Sequence, residues 1–133
     1  MTFAELRIDI VILVCAISAG IHGALVKDHF QEETGAGIGF VVATVLLAAV
    51  AIILTHHHSQ FVVVGAAVIL AGLIVSYTLV ITTGVPVLHP DVEAVNGLAL
   101  FSKTIEVLGL IAAASLMRRS SFGTLTQPKG TLQ

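Results

Sequence analysis

Hydrophobic residues fill this chain in four long runs parted by short polar breaks, at about residues 8–26, 35–55, 61–81 and 95–117. Each run is close to the ~20 residues that a helix rising ~1.5 Å per residue needs to cross ~30 Å of hydrocarbon. Their Val and Ile content would suit buried strands in water, but backbone inside a bilayer must satisfy its own hydrogen bonds, which selects helix over open sheet. The pattern predicts an all-α membrane protein: a four-transmembrane-helix bundle within residues 1–119, then a loosely ordered tail, 120–133, rich in Ser, Thr and Gly.

The breaks set the expected topology. His56, His57, His58, Ser59 and Gln60 make so short a link that the second and third helices must be antiparallel neighbours, which predicts an up-down-up-down order. Arg7 precedes the first run, Arg118 and Arg119 follow the last, and Lys129 lies in the tail. The first and third connections instead hold Lys27 against Asp28, Glu32, Glu33, Asp91 and Glu93. Basic residues favour the cytoplasmic side, so both termini are expected in the cytoplasm, with the chain integral to the plasma membrane and the lipid bilayer as its surroundings. Gly35 with Gly39, Gly65 with Gly72, and Gly109 with Ala113 predict places where helices approach closely.

Composition narrows the class. Hydrophobic residues make up 56% of the chain and charged residues 11%, with a mean hydropathy of +1.04; an ordinary soluble domain carries roughly 25% charge. The net charge is -2 and only Arg118 and Arg119 adjoin, which excludes a phosphate-binding surface and with it nucleic acid. The single cysteine, Cys15, excludes an intramolecular disulfide, a C-x-x-C redox pair and a thiolate zinc cage. With Met1 and Met117 as the only methionines, a thioether Cu(I) site is excluded too. The first run reads as a retained helix, because it exceeds the ~7–15 apolar residues of a signal peptide and is led by Glu5 and Asp9 beside a lone Arg7.

Candidate chemistry gathers in two places. Cys15, Ser18, His22 and His29 are spaced three, four and seven apart, so they form one stripe on the first helix if it continues past Lys27, and the stripe should face the bundle. His22 and His29 stand about 10 Å apart along a straight helix, too far to share an ion. His29 with Glu33 at i, i+4, closed by His89, Asp91 or Glu93 from the third connection, would offer nitrogen and oxygen ligands suited to Zn(II) or Cu(II). His22, His29, Glu33 and His89 are thus the candidate metal set, against the alternative of solvated loop charges with His22 hydrogen-bonded at the interface.

The second place lies deeper. Glu106 falls about 16 Å into the fourth run, with Lys103 at i-3 and Ser102 at i-4, and Asn96 seven residues before Lys103 on the same side. Ionisable side chains in hydrocarbon are costly and are functional suspects by default. Glu106 reads either as a proton carrier or substrate counter-ion, or as a polar clamp joining the fourth helix to Ser18 or Cys15 on the first, or to Ser76, Tyr77 or Thr78 on the third. His56, His57 and His58 read as a wet hairpin tip, since neighbours on a tight turn converge poorly on one ion. No nucleophile-elbow, zincin, P-loop or dinucleotide motif occurs, so catalysis is unsupported.

The stretch from Ser18 to His29, S-A-G-I-H-G-A-L-V-K-D-H, followed by Thr82-Thr83-Gly84-Val85-Pro86 and Glu106, resembles a group of small actinobacterial four-helix membrane proteins of unassigned function. Their pattern joins A-G-I-H-x-A-L-V-P-E-H with T-T-G-L-P and a glutamate in the last helix, and Lys27-Asp28 stands here where that pattern has Pro-Glu. The resemblance implies the fold and makes His22, His29 and Glu106 residues to test. Three function classes follow from the residues: a protein that binds or handles a divalent ion at its exoplasmic mouth, an accessory or assembly subunit of a larger membrane complex, and a small proton-coupled carrier using Glu106, completed by a homo-oligomer.

Overall fold

The computed structural model describes residues 2–85 and 95–123, the last of these, 119–123, by backbone alone. Four helices account for nearly all of them: α1 (Phe3–Glu32), α2 (Thr34–His56), α3 (Gln60–Thr82) and α4 (Gly97–Gly123). All four are long and apolar enough to cross a membrane.

The helices outrun the apolar runs. α1 starts at a reciprocal cap, in which Thr2 Oγ1 accepts the Glu5 N–H at 3.2 Å and Glu5 Oε2 accepts the Thr2 N–H at 2.6 Å. It continues through Lys27, Asp28, Gln31 and Glu32, whose side chains are exposed; Lys, Gln and Glu are good helix formers and need not leave the helix where it emerges from hydrocarbon. Its 30 residues amount to roughly 45 Å, about the bilayer with its headgroups. The broad polar connection expected after the first run therefore shrinks to Glu33, whose extended backbone (φ -153°, ψ 127°) ends α1 and opens α2. α4 likewise runs past Arg118 to Gly123, into the segment read as tail. His89, Asp91, Glu93 and residues 124–133 lie outside the described residues.

α1 packs on α2 and α4, and α3 packs on α4 and α2, so the helices close a ring around one core. That core sits in the half nearer the α2–α3 turn, where Val11, Cys15, Leu47, Leu54 and Leu70 are wholly buried. Small side chains there, among them Ala51, Ala66, Ala67, Ala112 and Ala113, bring the backbones close. Large apolar side chains on all four helices, such as Leu13, Val45, Val68 and Ile111, point outward instead. This is the arrangement a lipid solvent permits, because an apolar outer face costs nothing against acyl chains.

The expected close approaches divide. A Cβ on Gly109 would lie 2.6 Å from Val14 Cγ1 and 3.1 Å from Leu70 Cδ1, so this glycine seats α4 against α1 and α3. Gly65 and Gly72 face open space and seat nothing, a correction to the expectation from their spacing. Gly37, not singled out by spacing, is the one pressed against the Phe30 ring. Gly109→Val should lower the melting temperature of the purified protein through ~1–3 kcal/mol of overpacking, whereas Gly72→Ala should stay within ~0.5 kcal/mol of the parent. Equal melting of the two variants would remove Gly109 as a packing point.

Candidate functional site

Glu106 sits one turn above Gly109 on α4 and is completely buried. Three donors reach it. Ser18 Oγ donates to Oε1 from α1 at 2.7 Å, Ser102 Oγ donates to the same oxygen at 3.1 Å, and Lys103 Nζ donates to Oε2 at 2.6 Å. The helix itself supplies two of these, since residues at i-3 and i-4 lie on the face of residue i. The third is tertiary and ties α4 to α1. A carboxylate offers about four lone-pair positions, so these donors compensate most of the lost hydration.

Lys103 is 16% exposed and its ammonium lies 5.5 Å from the centroid of the Tyr77 ring on α3, within reach of a cation–π attraction. The polar group thus spans three helices. Tyr77, weighed in the sequence as a hydrogen-bonding clamp for Glu106, meets Lys103 with its ring instead.

The stripe on α1 faces inward: Cys15, Ser18, His22 and His29 are all buried. Nδ1 of His22 lies 2.9 Å from the Ser18 carbonyl oxygen and Nδ1 of His29 lies 3.0 Å from that of Leu25. A carbonyl only accepts, so both Nδ1 atoms carry the proton. His22 Nδ1 is also 3.4 Å from Ser18 Oγ, which donates onward to Glu106. Phe40 of α2 serves both imidazoles, stacked on His29 at 3.7 Å between centroids and tilted to His22 at 5.1 Å.

Above this layer the bundle opens. A cavity of about 220 Å³ is lined by His22 and His29 from α1, Phe40 from α2, Tyr77 from α3, and Asn96 and Lys103 from α4, with aliphatic side chains over most of the remainder. It lies between the later parts of α1 and α3 and the earlier parts of α2 and α4, at the end opposite the apolar core. Asn96 caps α4 through Oδ1, which accepts the Ala99 N–H at 2.8 Å.

Of the candidate metal set, only His22, His29 and Glu33 lie among the described residues. Glu33 leaves the helix with an extended backbone, so its i, i+4 register to His29 is lost, and its N–H meets the His29 carbonyl at 2.9 Å. His89 lies outside the described residues. Among the described residues no three of His, Cys, Asp and Glu gather as a ligand set. His56, His57 and His58 are all exposed.

Sequence reasoning missed Phe40 as the partner of both imidazoles. Its one visible signal is that no other Phe, Tyr or Trp occurs in α2. It also missed the Thr2 cap, which the T-x-x-E spacing from Thr2 to Glu5 does announce. No protein-family model, curated protein or solved structure matches the chain.

Ser18→Ala should destabilise the protein by about 1.5–3 kcal/mol, the range for a hydrogen bond to a charged group. Glu106→Ala should cost about 3–5 kcal/mol by leaving Lys103 without its counter-charge, and adding Lys103→Met should restore much of that loss. Additive melting shifts in the double variant would show that the two charges do not act as a pair.

Proposed function

We propose that this chain is a small proton-coupled carrier that takes its substrate into the four-helix cavity and exchanges a proton at Glu106. Lys103 serves as the substrate-facing counter-ion. One observation carries the reading: the Lys103 side chain lines the cavity, yet its ammonium ends on a wholly buried carboxylate that is braced to a second helix. A purely structural clamp has no need of a cavity beside its cation.

The proposed setting is an up-down-up-down bundle in the plasma membrane with both termini cytoplasmic. The basic residues at the chain ends support that orientation. Its support in the fold is that the cavity draws on the parts of all four helices nearest the α1–α2 link. The cavity then faces the exoplasmic side and the apolar core closes the cytoplasmic side, as in one state of an alternating-access cycle. A path through so short a chain calls for a second copy, so the working form is a homo-oligomer. A divalent-ion role has no ligand set to rest on among the described residues. An accessory role in a larger complex rests only on the apolar outer faces, which lipid covers equally well.

Two measurements test this reading. Infrared difference spectra of the reconstituted protein between acidic and alkaline buffer should contain a carboxyl band that Glu106→Gln removes; spectra indifferent to that change would end the proton-exchange role. In a Cys15→Ala background, a membrane-impermeant maleimide should label Asp28→Cys in intact cells and His57→Cys only after lysis. The reverse pattern would invert the proposed orientation.

A further inference from the structure

The cavity's lining is chemically one-sided. Among the described residues Lys103 is the only Lys or Arg of the lining, and no Asp or Glu belongs to it, Glu106 being tucked behind. The Oδ1 of Asn96 is committed to the Ala99 N–H, which leaves its NH₂ as the group able to donate. One cation and an amide donor suit one anionic, acceptor-rich head. The remaining wall, with Ile21, Leu25, Leu73 and Val80, suits hydrocarbon.

Resting on the carrier reading, we infer that the ligand is an amphipathic monocarboxylate, its head on Lys103 and its alkyl chain against the aliphatic wall, and that Glu106 takes up one proton as it binds. Charge balance requires the second half of this statement. Lys103 and Glu106 together are neutral, so an entering carboxylate adds one uncompensated negative charge where an unpaired ion costs several kcal/mol. A proton on Glu106 cancels it, and Lys103 is released to the ligand.

The groups around Glu106 support this assignment. Lys103 and Ser102 face it from α4, Ser18, His22 and Cys15 from α1, and Tyr77 meets the Lys103 end from α3. α2 lines the cavity without an ionisable side chain. His22 is on the cavity wall, and Ser18 Oγ stands between it and Glu106.

The chain has one tyrosine and no tryptophan, so emission from phosphatidylcholine liposomes holding the protein reports on Tyr77, which lines the cavity. Octanoate added to the aqueous phase should shift that emission saturably, with octanol and octylammonium at least about tenfold weaker. Proton uptake, followed by a pH dye in weak buffer and corrected for protein-free liposomes, should equal the octanoate bound. Glu106→Gln should still bind octanoate and take up no proton. The double variant Lys103→Met, Glu106→Gln, which removes both charges together, should melt near the parent temperature and bind none. Oleate mixed into the lipid distinguishes a membrane fatty acid from a water-soluble acid as the source.

If octanol or octylammonium matches octanoate, the carboxylate assignment is overturned while the cavity remains a binding site. Silence of Tyr77 toward all these probes would overturn the cavity reading as well. Proton uptake that persists in Glu106→Gln would take the proton away from Glu106 and leave the infrared test of the carrier reading to be judged alone.

Discussion

A carboxylate held in hydrocarbon must find donors within the protein, and the placement of Glu106 organises the upper half of this bundle. Two donors come with the helix at no topological cost, from Ser102 and Lys103. Ser18 has to be brought from α1, and the short Oε1 contact requires α1 and α4 to be in register at that level. Gly109, one turn below, lets the same pair of helices approach, because its missing side chain makes room for Val14. The polar link and the small residue specify one seam between them.

Below that seam the molecule is a tight aliphatic plug, and above it a cavity. The difference lies in the side chains. Toward the α2–α3 turn, leucines interleave with alanines and fill the space between four close backbones. Toward the other end, α1 carries imidazoles tied back to their own helix, and α4 carries a lysine drawn down toward Glu106, so among the described residues the centre is left unfilled. The Phe40 ring braces the imidazoles from α2. The ion pair of Lys103 and Glu106 lies at the boundary between the cavity and the plug.

Much of the site could be read from spacing along single helices. The i, i+3 and i, i+4 relations of Lys103 and Ser102 to Glu106, and the buried stripe from Cys15 to His29, follow from helical periodicity, which a sequence carries directly. The i, i+4 pairing of His29 with Glu33 is lost where periodicity stops. It relied on Glu33 continuing the helix of His29, and the extended backbone at Glu33 ended that register after a single residue. Gly65 and Gly72 show the related limit, because spacing marks which glycines share a face and cannot tell whether another helix covers it.

By itself the sequence determined four membrane-length helices, the polar residues each would carry, and the pairs one turn apart, because these depend on local backbone geometry and on a solvent that cannot hydrogen-bond. The tertiary structure alone decided that Ser18 meets Glu106, that Phe40 stacks on His29, that Lys103 lies over Tyr77, and that the space among them is open. Each of these joins residues on different helices. Their distances depend on the rotation of one helix against another, which is set by the summed packing of many small side chains and is written in no single stretch of the chain.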